Sequence, residues 1–196
     1  LAWRPAGANP DRERERILLD RDKCVDCGLC YAVCPPENPV GAPLPQPADR
    51  LIGPYLSLSR GFAMDPDVRE AGSAGGVVTA LLISALEQDI IDAALVVGTD
   101  PADPTRPLVV LARTPAEIRA AAQSKYCVAP VNAMLSQIRD DDGRIAVVAL
   151  PCQAHGLRLA QSLNLPVSRR IALIIGVFCG FNLRQAGTGH LLHKLN

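Results

Sequence analysis

The chain has 196 residues, 48% of them hydrophobic, which suffices for one substantial α/β core and a small appended module and for little more. Twenty basic residues balance twenty acidic ones, so neither a nucleic acid nor an anionic membrane surface is expected as the main partner. The longest apolar stretch, 171–181, falls short of the roughly 20 residues that span a bilayer, so no membrane span is expected.

The first residues, Leu1-Ala2-Trp3-Arg4, show neither the apolar segment of a secretory signal nor an initiator methionine, and read as a clipped start. Residues 1–20 are polar, and Asp11 to Arg16 alternates in charge as a solvated arm or short helix does. Four of the seven cysteines crowd into 24–34. That spacing suits a metal better than a disulfide framework and points to a reducing, cytoplasmic setting. Prolines then recur at 36, 39, 43, 45 and 47, as in an extended, semi-rigid linker. Beyond it, apolar residues at Val77, Val78, Leu81, Leu82, Ala85 and Leu86 predict a helix over 73–88, with Ser73 as its cap. The run 90–98 reads as a strand covered on both faces. Thr114-Pro115-Ala116-Glu117 opens a further helix, threonine capping and proline in the first turn. The runs 144–150 and 171–178 read as strands flanking a helix over 153–163, the alternation of a parallel α/β unit.

The expected architecture is therefore α/β, a mainly parallel sheet domain behind a small ferredoxin-like cysteine-rich module. Its expected divisions are 1–35 for arm and module, 36–54 for the linker and 55–196 for the α/β domain.

Cys24-Val-Asp-Cys27-Gly-Leu-Cys30-Tyr-Ala-Val-Cys34-Pro35 reproduces the bacterial ferredoxin spacing. Thiolates this close can each take one corner of an iron–sulfur cube, and Gly28 lets the backbone bend toward the inorganic sulfurs. Structural zinc normally joins two separated pairs, so the run fits it poorly. Cys34 has two readings: it closes the local cluster, or it reaches a second one while Cys127, Cys152 or Cys179 takes its place. Cys152 and Cys179 each follow a predicted strand, at the ends where parallel sheets place their sites. On spacing alone, two inert buried thiols serve as well. With aromatic residues at 4%, a planar cofactor would be held mostly by backbone and aliphatic groups.

Several stretches together resemble one family: Gly75-Gly76-Val77-Val78-Thr79-Ala80-Leu81-Leu82 with Ile90-Ile91-Asp92-Ala93-Ala94, then Arg113-Thr114-Pro115-Ala116-Glu117, Ser124-Lys125-Tyr126, Pro151-Cys152-Gln153 and Phe178-Cys179. Their order over about 54–183 is similar to that of the beta subunits of coenzyme F420-reducing hydrogenase and dehydrogenase and the related ferredoxin-dependent chlorophyllide reductases. The resemblance implies FAD and a [4Fe–4S] cluster whose ligands include Cys152 and Cys179. In the family the other two ligands come from a later Cys-x-x-Cys pair. This sequence reaches Asn196 without one, so the α/β domain is expected to be incomplete at its C-terminus. Cys127 matches no family cysteine and reads as a packed thiol.

The resemblance also places the flavin. Gly72-Ser-Ala-Gly75-Gly76 leads into a helix whose free N–H groups suit a diphosphate. Gly75, Gly76, Thr79, Ser124, Lys125 and Tyr126 are the expected cofactor-binding residues, with Lys125 as counter-charge and Tyr126 against a ring. His155 reads as a capping or surface residue, and His190 and His193 fall in a polar tail. No general acid or base is legible. The function expected by resemblance is electron passage between [4Fe–4S] clusters and FAD, to or from a two-electron carrier such as coenzyme F420, with ferredoxin or a hydrogenase or dehydrogenase catalytic subunit as partner. A chlorophyllide-type reductase is the second reading. A non-enzymatic electron relay docking on a catalytic partner is the third.

Overall fold

A computed structural model describes residues 2–4, 16–38, 48–49, 53–138 and 142–195. The charged run from Asp11 and most of the linker, with Pro39, Pro43, Pro45 and Pro47, lie outside the described residues, as does Asn196. In chain order come β1 (Ala2–Arg4), β2 (Arg16–Leu18), α1 (Leu29–Ala32), β3 (Ala48–Asp49), β4 (Gly53–Pro54), α2 (Pro66–Ala71), α3 (Val77–Glu87), β5 (Ala93–Thr99) and β6 (Pro107–Ala112). Then follow α4 (Pro115–Ala120), a 3-10 helix (Val131–Gln137), β7 (Ile145–Ala149), α5 (Pro151–Ser162), a 3-10 turn (Pro166–Ser168), β8 (Ile171–Gly176) and α6 (Gln185–Leu195).

The central sheet has the order β6-β5-β7-β8, with β5·β7 and β7·β8 parallel and β5·β6 antiparallel. It is the expected mainly parallel α/β arrangement, and β7, α5 and β8 form its crossover unit. β5 alternates its side chains between two cores. Ala94 and Val96 face Leu82, Ile83, Ala85 and Ile118 from α3 and α4, while Leu95 faces Val131, Leu135, Val147 and Leu157 on the α5 side. Because both faces are covered, the strand can be continuously apolar, the pattern that made it legible. Among the described residues no helix is long and apolar enough to cross a membrane.

Four boundaries differ from the sequence expectation. The helix expected from Ser73 begins at Val77, because Gly75 and Gly76 sit at φ 76° and 69°, outside helical space, and Gly76 is the N-cap. Ser73 is therefore not the cap. The strand expected from 90 begins at Ala93, because Ile90 and Ile91 turn back to donate N–H to the carbonyl of Ala85 (2.9 and 3.2 Å). The helix expected from 153 starts two residues earlier, so Cys152 lies within its first turn. The stretch holding His190 and His193 is helix α6 rather than a tail. No strand is expected over 107–112. There an antiparallel edge forms through the Asp100–Arg106 turn, in which Asp103 accepts the Thr105 N–H (3.0 Å) and hydroxyl (2.6 Å).

Local signals were kept elsewhere. Thr114 caps α4 with Glu117 reaching back to its N–H, a complete capping box. At the opposite edge of the sheet from the functional loops, Gly143 at φ 73° lets the chain fold under Asp92. The Asp92 carboxylate accepts the Arg144 N–H (2.6 Å) and guanidinium (3.1 and 3.3 Å), joining the starts of β5 and β7. These bonds from Arg144 hold the Asp92 pKa below its ordinary 3.8. A depressed carboxylate stabilises the fold above its unfolded pKa, and that contribution is lost as pH falls through the folded value. Thermal unfolding of Asp92→Asn should therefore fall short of the parent's at pH 6, by a margin that narrows as pH drops below 3.8.

Candidate functional site

The site gathers at the C-terminal ends of the parallel strands. The ladder pairs Ala149 with Gly176, and the Val177 N–H adds one further bond to the Ala149 carbonyl at 3.0 Å. Cys152 and Cys179 each lie three residues beyond this shared rung, so one register carries both thiols to the same end of the sheet. Both are free and exposed. Pro151 supplies the fixed φ of the first turn of α5, which places Cys152 among unpaired helix N–H groups. Gln153 explains the third position of Pro-Cys-Gln. Its Oε1 accepts the Leu150 N–H (3.0 Å) and its Nε2 donates to the Ala129 carbonyl (2.8 Å), tying the strand exit to the neighbouring loop.

Beside this end lies a cavity of about 560 Å³, between the start of α3, the 121–127 segment and the 176–182 loop. Gly76, Thr79, Ser124, Lys125, Tyr126 and Cys179 all line it. Gly75 does not. It shapes the loop instead, its carbonyl accepting the Ala63 N–H (2.8 Å) and its α-carbon facing Phe62. Two close approaches demand glycine. A Cβ on Gly76 would meet the Val68 carbonyl oxygen at 2.3 Å, and one on Gly72 would meet the Gly76 α-carbon at 2.5 Å. The C-terminal end of α2 thus seats directly on the loop that opens α3.

Ser73, not the cap expected from sequence, bridges the two walls: its Oγ accepts the Ser124 N–H at 2.9 Å. Lys125 lines the cavity, yet its ammonium is turned onto the carbonyls of Ala121, Ala122 and Gln123 at the end of α4. There it offsets the negative pole of that helix, and burial pushes its pKa below 10.5. Tyr126 stacks on Phe181, ring centres 5.6 Å apart and planes 20° from parallel. Phe181, and Phe178 at 99% exposure, belong to the cavity wall and were not expected as site residues. Only the fold brings 178–182 beside 126, through the Leu183 N–H to Tyr126 carbonyl bond (2.7 Å) and the Val128 N–H to Leu183 carbonyl bond (3.1 Å). Cys127 is buried, its thiol against Thr188 Oγ1 at 2.9 Å, the packed thiol expected of it. His155 is half-buried on α5.

Cys24, Cys27, Cys30 and Cys34 lie on the loop around α1, Cys27 and Cys30 exposed and Cys24 and Cys34 half-buried, none of them in a disulfide. Gly28 stands at φ 71° with nothing within 4 Å of a Cβ position, so the loop is open where the backbone bends. Cys24 donates to Asp26 Oδ1 at 3.5 Å. Among the described residues no three His, Cys, Asp or Glu side chains are gathered closely enough to hold a metal ion as they stand. The donor set nonetheless has the chemistry of a cluster site, with four free thiols on a short loop bent at a glycine. The cavity likewise falls in the size range of organic cofactor sites and lies where α/β sheets bind them.

Residues 15–36 match a 4Fe–4S binding domain. Residues 58–136 and 142–196 match, in turn, the N-terminal and C-terminal parts described as coenzyme F420 hydrogenase/dehydrogenase, beta subunit. The chain belongs to this family of beta subunits, and the resemblance read from its motifs holds. It is 32% identical over 134 residues to the coenzyme F420 hydrogenase subunit beta of Methanothermobacter thermautotrophicus, covering 66% of this chain and 47% of the relative. To one of the subunits of the F(420)H(2) dehydrogenase of Methanosarcina mazei it is 32% identical over 197 residues, covering 83% and 54%. To a coenzyme F420-dependent sulfite reductase of Methanocaldococcus jannaschii it is 28% identical over 215 residues, covering 90% and 34%. A chain of the F420-reducing [NiFe] hydrogenase complex from Methanosarcina barkeri superposes with a TM-score of 0.63 at 26% identity, covering 67% of this chain and 47% of that one. The chain thus spans between a third and about half of the length of these relatives.

Gly76 gives a direct check on this site. Gly76→Ala forces both an unfavourable φ and a clash with Val68, and should lower unfolding free energy by about 3 kcal/mol in denaturant titration.

Proposed function

We propose that this chain is the electron-handling part of an iron–sulfur flavoprotein oxidoreductase, passing electrons between [4Fe–4S] clusters and FAD, to or from coenzyme F420. The observation that carries the reading is the arrangement around one sheet end. A cofactor-sized cavity, a thiol on its wall (Cys179) and a second thiol on the adjacent parallel strand (Cys152) stand together, with a separate four-thiol loop in the same chain. When bound, the clusters supply single-electron steps and the flavin interconverts single electrons with a hydride.

The chain's own groups have distinct tasks. Cys24, Cys27, Cys30 and Cys34 hold the first cluster, and Cys152 and Cys179 supply half of the ligands of a second. Gly76, with Thr79 and the backbone of Ser124, lines the pocket for the flavin diphosphate while Gly75 shapes the loop behind it, and the start of α3 presents its unpaired N–H groups there. Val96 and Val97 of β5 and Val148 and Ala149 of β7 give the cavity an apolar floor. Tyr126 and Phe181 offer a stacked pair at the rim for a planar ring. Lys125 stands close enough to swing from the α4 carbonyls toward an anion, and its burial-lowered pKa makes its proton easier to release. The division at 36–54 separates a module for the first cluster from the domain for the flavin. The thiols require a reducing compartment, as the cytoplasm provides. The many F420-dependent relatives favour F420 over a chlorophyllide-like tetrapyrrole as the hydride partner.

Anaerobic reconstitution tests this reading. The chain should take up about four iron and four sulfide on the 24–34 loop and bind FAD with an affinity that Gly76→Val abolishes. In the metal-free reduced chain, an alkylating reagent should label six cysteines and spare buried Cys127. After reconstitution, Cys24, Cys27, Cys30 and Cys34 should be protected as well. Clusters without any flavin uptake would favour the non-enzymatic relay. Zinc without iron would exclude both.

A further inference from the structure

The cysteine loop is not free of the α/β domain. From 19 to 31 the described side chains are exposed, Cys24 excepted, whereas Ala32, Val33, Cys34 and Pro35 are half-buried. Val33 and Pro35 meet α5, and the contact falls on its one glycine. A Cβ placed on Gly156 would lie 3.3 Å from the Val33 carbonyl oxygen, 3.8 Å from Pro35 Cγ and 3.6 Å from Asn132 Nδ2. Gly156 is itself buried, and it stands one turn along the helix from Cys152. Glycine inside a helix sacrifices about 1 kcal/mol relative to alanine. On α5 that loss coincides with the point where a second backbone comes so close that even a Cβ would require a shift of a few tenths of an ångström.

Asn132 completes the contact. Its Nδ2 donates to the Gln153 carbonyl at 3.2 Å, which ties the 3-10 helix to the first turn of α5 on the same side. The module's own loop is internally bonded toward this face. The Tyr31 and Ala32 N–H groups donate to the Gly28 carbonyl (3.0 Å each), and Asn38 Nδ2 donates to the Tyr31 and Cys34 carbonyls (2.7 and 3.2 Å). The turn that carries Cys30 and Cys34 is therefore a preformed unit set against the helix that carries Cys152.

We infer that Gly156 is a positioning residue, the seat on α5 that docks the Cys24–Cys34 module at the Cys152 end of the sheet. The functional meaning of this docking, a fixed span between the two thiol sets, rests on the electron-transfer reading above, while the docking itself does not. Because any side chain at 156 projects against Val33 and Pro35 rather than into the sheet, enlarging it should lever the module away and leave the strands intact. The cluster ligands would still be present, only unsupported.

Hydrogen–deuterium exchange on the full chain, loaded anaerobically with iron and sulfide, tests this with the series Gly156→Ala and Gly156→Leu. Amides of 31–38 should exchange about tenfold faster in the leucine variant, with alanine intermediate, while those of β5, β7 and β8 keep parental protection. Iron release to bathophenanthroline should accelerate in the same order. Unchanged exchange over 31–38 in a leucine variant with intact strands overturns the proposal. If the leucine variant loses its strands too, the alanine variant, which helix propensity favours, decides: parental exchange and iron release there overturn it, and intermediate values support it. Failure of the parent chain to bind iron would sink the electron-transfer reading and leave the exchange result of the metal-free series to judge the docking alone.

Discussion

The parallel ladder between β7 and β8 constrains the rest of the site. Once Ala149 is set against Gly176, the two strand exits are level, and equal three-residue steps carry Cys152 and Cys179 to the same end of the sheet. A slip by one residue would reverse which side chains of β8 face α5 and would stagger the two thiols. The register is held from both sides, by Leu95, Val147 and Ile145 on one face and by Ala94, Val96 and Ala146 on the other. Burial on both faces is what makes such a slip costly, since every apolar residue in the strand would exchange its core for another.

A second constraint is the glycine loop before α3. Gly72 and Gly76 let the end of α2 sit against the start of α3 at distances no side chain would permit. The same loop then holds Ser73 where it can accept the Ser124 N–H, closing the cavity between two segments 51 residues apart in sequence. Cavity shape and helix packing are thus two results of one local feature. A glycine there serves both the packing of α2 on α3 and the shape of the cavity wall.

The third element is the meeting of module and domain at Gly156. A ferredoxin-like loop could hang from a proline-rich linker with no fixed relation to the sheet. Instead two of its half-buried residues, Val33 and Pro35, meet α5. A backbone contact between two thiol-bearing segments fixes their separation, on which the proposed electron transfer would depend. It joins the first and second halves of the site through a single helix.

Much of this was legible in the sequence because the signals were local. The two-two-three cysteine spacing, the Thr114 capping box and the continuous apolar runs of β5, β7 and β8 each owe their form to neighbours in the chain or to simple burial. The family membership followed from short motifs kept in order. What the sequence could not supply were contacts between distant segments: the Ser73 and Ser124 bridge, the stacking of Phe181 on Tyr126, the turning of Lys125 onto α4, and the antiparallel strand β6 at the edge. Ser73 looked like a cap because local rules favour serine before a helix, and two left-handed glycines overrode them. Composition and periodicity determine which residues must be buried and which can bind iron. Only the packed sheet decides which of them meet, since meeting depends on register and helix placement, and those are settled by the whole core at once.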